Sequence, residues 1–194
     1  MFHYLTNQPL TKKAFEYQLC RTLNNNQIEC KITENSNLPG ADLTIEDSKQ
    51  KISLKTEGSK SVSREKITIS KLMEARWYRE CRTDRDLQIA IQKHVITHLR
   101  HYDRILTLRS FPSNCGKLVD YQLVEIPTEL IKRCGEKSAL NFAKRTEGGS
   151  TTVTIMNGIN SVFDLTFDAS VEKVTLKNLY IRDCMLLANW SISI

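Results

Sequence analysis

Three features of this 194-residue sequence predict an α/β protein, a mixed central β-sheet flanked by helices, with a β-rich C-terminal third. Apolar residues recur at helical spacing early in the chain, at Phe15, Leu19 and Leu23. A second helical stripe, Leu87, Ile91, Val95 and Leu99, separates short strand-like runs from later ones, and beyond Ser150 period-two alternation dominates. The chain reads as a single domain over residues 1–194, divisible at Glu147-Gly148-Gly149-Ser150 into an α/β part, 1–147, and a β-rich part, 148–194.

Residues 11–25 form the first helix, with Thr11 suited to the N-cap, Asn24-Asn25-Asn26 to end it, and Glu16 beside its apolar stripe. Strand-like runs follow at 28–33, 41–46, 51–57 and 66–70, separated by Pro39-Gly40, Asp47-Ser48-Lys49-Gln50 and Gly58-Ser59. Ser70 is placed to cap a helix running to about Arg82, and Asp84 to start the next, whose stripe extends toward Tyr102 and Leu106. Strands are expected at 104–109 and 117–125, then a helix opened by Pro127, then strands at 152–156, 162–167, 173–181 and 185–192.

The composition, 40% hydrophobic and 26% charged with 7 Gly and 4 Pro, excludes collagen-like, low-complexity and disordered classes. No apolar run approaches the ~18 residues of a membrane-spanning helix, and Met1 to Leu5 lack a signal peptide's basic start, so the expected address is cytoplasmic with no membrane partner. The six cysteines form no Cys-x-x-Cys pair and read as reduced, buried side chains. Kinase, serine-hydrolase, dehydrogenase and zinc-protease motifs are missing.

The charge is placed unevenly. Between Lys49 and Arg85, eleven basic residues face five acidic ones, and this segment carries the whole net charge of +6. Such a concentration suits a surface facing phosphates. Within it, the loop Gly58-Ser59-Lys60-Ser61-Val62-Ser63-Arg64 mixes hydroxyls with cations, and Lys71, Arg76, Arg79 and Arg82 recur at helical spacing beside Trp77 and Tyr78. Lys60, Ser61, Ser63, Arg64, Lys71, Arg76 and Arg79 are therefore the candidate phosphate-contacting residues, with a solvated basic face as the alternative. His94, His98 and His101 share one helix face, but no fourth ligand is evident, and they read as the border of the apolar stripe.

The chemistry concentrates in residues 39–57. With a four-residue turn at 47–50, Glu46 faces Lys51 and Asp42 faces Lys55. Alternation then puts Asp42, Thr44, Ser53, Lys55 and Glu57 on one face and Leu43, Ile45, Ile52 and Leu54 on the other. A carboxylate beside an ammonium suits metal-assisted phosphodiester hydrolysis, because hard carboxylate oxygens hold Mg²⁺ while the amine serves the attacking water. A plain surface ion pair is the alternative.

Pro39, Gly40, Asp42 and Ser53-Leu54-Lys55 resemble the motif of the PD-(D/E)XK nucleases. Ile52 to Thr56 followed by Lys66 to Ser70 is similar to type II restriction endonucleases, and 121–127 and 167–190 echo such enzymes. The resemblance implies a restriction-endonuclease-like fold and Mg²⁺-dependent, site-specific cleavage of double-stranded DNA. It further implies Asp42 as metal ligand, Lys55 serving the water, a homodimer, and a host DNA methyltransferase modifying the same sequence. The chain departs from the motif at Ser53, where the family usually carries an acid, and Glu16, Glu57 and Glu74 are the candidates for the second carboxylate. The alternative functions are a structure-specific repair or recombination nuclease and a non-catalytic DNA-binding module.

Overall fold

The structure, a computed structural model, describes residues 9–33, 40–58, 62–112, 118–143 and 149–193. Pro39, Ser59, Lys60, Ser61, Cys115, Lys117, Glu147 and Gly148, all singled out from the sequence, lie outside the described residues, as do Met1 to Leu5. The fold is α/β, with a mixed and an antiparallel sheet and few helices. It divides into two compact units, the first within Met1–Val62, His101–Pro127 and Cys184–Ile194, the second within Ser63–Arg100 and Thr128–Asp183.

The first unit is built on helix α1 (Lys12–Asn25) and a six-stranded sheet. Thr11 caps α1 as expected, its hydroxyl accepting from Ala14 N at 3.3 Å. The strands are β1 (Cys30–Ile32), β2 (Leu43–Ile45), β3 (Lys51–Gly58), β5 (Arg104–Pro112), β6 (Leu118–Ile126) and β11 (Met185–Ser193), adjacent in that order. All pairings are antiparallel except β3 with β5, whose parallel alignment needs the long crossover through residues 63–100. One face of the sheet packs on α1. Phe15 and Cys20 from the helix meet Leu43, Ile52, Leu54, Leu106, Leu108 and Tyr121 from the strands, and Leu19 and Leu23 complete the cluster. Leu43 and Leu54 are fully buried, each contributing about 1.5–3 kcal/mol of hydrophobic stabilisation.

The second unit carries β4 (Lys66–Glu74), β10 (Lys173–Tyr180), β9 (Asn160–Asp168), β8 (Thr151–Asn157) and β7 (Leu140–Phe142) as an antiparallel sheet in that order. Helix α2 (Asp84–Ala90) opens with a capping box between Thr83 and Asp86, then continues through π-helical turns at Ile91–Ile96 to Thr97–Leu99. Its stripe of Leu87, Ile91, Val95 and Leu99 is fully buried, as its spacing predicts. Helix α3 (Thr128–Lys132) follows Pro127.

The helix expected from Ser70 to Arg82 is not formed. Residues through Glu74 extend β4, and only Arg76–Glu80 coil, as a 3₁₀ turn. Pairing with β10 from Lys66↔Tyr180 to Glu74↔Lys173 satisfies the backbone groups, and alternation buries Ile67 and Ile69. The tail beyond Ser150 serves both units, β8 to β10 in the second and β11 in the first. Among the described residues no disulfide forms, and burial pushes the thiols of Cys30 and Cys134 up to about 12. Among them, too, no helix is long and apolar enough to cross a membrane.

Candidate active site

The hairpin of β2 and β3 places the predicted carboxylate, but in a different register. Leu43 pairs with Ile52 and Thr44 with Lys51, so Lys51 faces Thr44 where the sequence predicted Glu46. The four-residue turn sits one position earlier than supposed, at 46–49. Ile45 N donates to Gln50 O at 2.9 Å, and Lys49 adopts φ 55° to close the loop. Glu46 turns outward to Lys49 and Lys31, at 2.8 and 3.1 Å, and these hydrogen bonds, that from Lys49 first, hold its carboxyl below the usual carboxylate range. A shift of two residues leaves every side chain on its predicted face, yet it moves Asp42 from beside Lys55 to beside Ser53.

Asp42 stands just before β2, and its two oxygens have separate partners. Oδ2 accepts from the backbone N–H of Leu54 at 2.5 Å and from the Ser53 hydroxyl at 3.3 Å. The carboxylate thus takes up a β3 amide beyond the end of β2. Oδ1 accepts from Lys12 Nζ at 2.7 Å. The same ammonium lies 3.4 Å from Glu16 Oε1, one turn further along α1, so two carboxylates, each less than a fifth exposed, converge on one cation. Ser53 is buried, and its hydroxyl braces Asp42. Two residues on, Lys55 shares the Ser53 face by alternation and lies opposite Thr107 of β5.

The remaining candidate acids have other partners. Glu57 meets Arg109 of β5 directly across the parallel ladder, with Arg109 Nε donating to Glu57 Oε2 at 2.7 Å. Arg109 is fully buried, donates also to Gln122 at 3.1 Å, and sits 5.1 Å from the centre of the Phe111 ring. Glu74 belongs to the second unit, where Lys71 pairs with it at 3.0 Å and lowers its pKa.

The expected basic ridge changes with the loss of its helix. Lys71 lies on β4, whereas Arg76 and Arg79 lie on the 3₁₀ turn and both reach Glu172, at 3.3 and 3.0 Å. Arg64 is exposed, and Ser63 accepts from the amides of Glu65 and Lys66, shaping the turn before β4. His94 stacks on Trp77 with ring centroids 4.9 Å apart. Among the described residues no three His, Cys, Asp or Glu side chains gather as a metal cluster.

Two participants were missed in the sequence. Lys12 carried one signal, a cation in the first turn of a helix four residues before an acid, where neither the helix dipole nor the pair's orientation favours it. Arg109 carried another, a lone charge within the apolar run Ile105 to Phe111.

The family described as SmaI, type II site-specific deoxyribonuclease, matches residues 1–192. A curated relative from Serratia marcescens, the type II restriction enzyme SmaI, is 31% identical over 194 residues, covering 97% of this chain and 74% of the relative. No solved structure matches the chain. A match along nearly the whole length removes the non-catalytic and repair alternatives, and the chain belongs to the SmaI family of type II site-specific deoxyribonucleases.

Proposed function

We propose that this deoxyribonuclease uses Mg²⁺, held by Asp42 and Glu16, in a site of PD-(D/E)XK type with Ser53 in the position of the usual acid. The observation carrying this reading is the convergence of the Asp42 and Glu16 carboxylates on a single cation, with Ser53 and Lys55 following along β3. The donor set fits Mg²⁺, which commonly takes one or two protein carboxylates and completes its shell with water and substrate phosphate. When bound, the metal polarises the phosphate and makes a coordinated water more acidic.

The protein's own groups do the rest. Asp42 presents Oδ1 toward α1 while Oδ2 is held by Leu54 N–H and Ser53, which fixes the carboxylate's orientation. Lys55 orients the attacking water and steadies the charge growing on the phosphoryl oxygens. The water's oxygen bonds to phosphorus, the bond to the leaving sugar oxygen breaks, and that oxygen takes a proton. Glu16 is preferred to Glu57 and Glu74 as the second carboxylate because it meets the same ammonium as Asp42, whereas Glu57 pairs with the buried Arg109 and Glu74 with Lys71.

Lys60, Ser61, Ser63, Arg64, Lys71, Arg76 and Arg79 are proposed to meet the DNA backbone and base edges, with double-stranded DNA as substrate. Two copies of the chain cut the two strands of a two-fold site most simply as a homodimer. The edge strand β11 supports this: it has no charged residue, exposes Met185, Leu186 and Leu187, and would meet its own copy without opposing like charges. A host methyltransferase protecting the same sequence follows from restriction, as does a cytoplasmic site of action.

Incubation with unmethylated phage DNA, with Mg²⁺ and with EDTA, tests the proposal by sequencing fragment ends. Discrete fragments with one common end sequence, formed only with the metal, are expected. Cleavage that proceeds equally in EDTA would overturn the metal reading.

A further inference from the structure

The place of Lys12 in α1 has no explanation within the helix. It occupies the first helical position, where the positive end of the macrodipole repels a cation, and no acidic residue in that turn compensates. Its pairing with Glu16 runs in the less favourable direction for an i,i+4 ion pair, with the base preceding the acid. Its side chain is still 44% exposed, so no packing demand holds it there. Only the acids explain it: Nζ lies 3.4 Å from Glu16 Oε1 and donates at 2.7 Å to Asp42 Oδ1, while Asp42 Oδ2 accepts from Leu54 N–H of β3.

Resting on the metal reading above, we propose that Lys12 is an internal counterion that competes with the divalent cation for the Asp42–Glu16 pair. It is a positioning residue. Without metal, its ammonium keeps two close carboxylates together and aimed at one point, offsetting their mutual repulsion. A metal entering between them must displace that ammonium, so DNA-free protein holds the metal weakly. The long, flexible lysine stem lets Nζ swing clear without moving α1. Tight metal binding then waits on a phosphate, whose added negative charge shifts the balance toward the divalent ion.

The test measures Mn²⁺ binding to the intact DNA-free protein by electron paramagnetic resonance, in wild type, Lys12→Met, Lys12→Arg and Asp42→Asn. Lys12→Met should bind Mn²⁺ about thirtyfold more tightly, the factor that a unit positive charge ~4 Å from a divalent cation costs in water-like surroundings. Lys12→Arg keeps the charge and should stay near wild type. Asp42→Asn should lose the site. Unchanged or weaker binding in Lys12→Met, with Asp42→Asn still losing the site, overturns the counterion role and leaves the metal reading intact. If Asp42→Asn binds as wild type does, the metal reading fails and the counterion role fails with it.

Discussion

Removing the carboxylate of Glu57 separates two roles for that residue. Arg109 has no exposed side-chain surface, and Glu57 is 9% exposed. At 2.7 Å Glu57 brings the guanidinium a compensating carboxylate, and Gln122 adds a neutral carboxamide oxygen at 3.1 Å. Glu57→Ala leaves a buried cation beside a void, and breaking such a pair from one side costs about 3–5 kcal/mol. For a chain of this size each kcal/mol shifts the midpoint by about 2–4 °C, so Tm should fall by roughly 6–20 °C. Thermal unfolding followed by circular dichroism without metal reads this directly. Taking both charges out, as Glu57→Leu with Arg109→Met, should recover most of the loss, because replacing a buried pair with apolar groups of similar volume is often nearly neutral. An unchanged Tm in Glu57→Ala, with DNA cleavage lost, would refute the structural role and return Glu57 to the metal site.

Other expected outcomes are as direct. Asp42→Asn should abolish cleavage while the protein stays folded, since the carboxamide oxygen can still accept from Leu54 N–H, and Lys55→Met should do the same; cleavage at wild-type rate by either variant removes that residue from the chemistry. Gly58→Ala places a Cβ 2.5 Å from the buried Ser110 hydroxyl and should cost about 1–3 kcal/mol, and adding Ser110→Ala should relieve it because the next atom is 3.9 Å away; urea unfolding of single and double variants checks the rescue. Burial first, then the charge of Lys93, lowers the His94 pKa below 6.5 against an opposing effect of Glu80. The unfolded chain therefore binds more protons near that pH, so stability carried by the neutral ring is present above about 6.5 and is lost as pH falls through the lowered folded-state value. His94→Phe, which keeps a ring against Trp77, should flatten the loss of stability between about pH 7 and 5.5, and parallel curves for the two proteins would count against it.

The sequence by itself determined what local chemistry governs. Thr11 could cap only a helix starting beside it, the Leu87 to Leu99 stripe could be buried only as a helix, and alternation assigned Ser53 and Leu54 to opposite faces of their strand. It also put a carboxylate, a hydroxyl and an amine on one hairpin, a pattern that suits phosphodiester chemistry and a surface ion pair alike, and the resemblance to type II restriction endonucleases chose between them. The register within that hairpin was beyond it, because a slip of two residues leaves the apolar face intact and the hydrophobic pattern cannot detect it; the turn closed by Lys49 decides it. Residues 70–74 could alternate as a strand or recur as a helix, and pairing with β10, a hundred residues away in the chain, decided for the strand. The parallel alignment of β3 with β5 brought Arg109 to Glu57, and the docking of α1 on the sheet brought Lys12 and Glu16 to Asp42. Those partners are chosen by packing between distant segments, and the energy that selects them exists only once the core has formed.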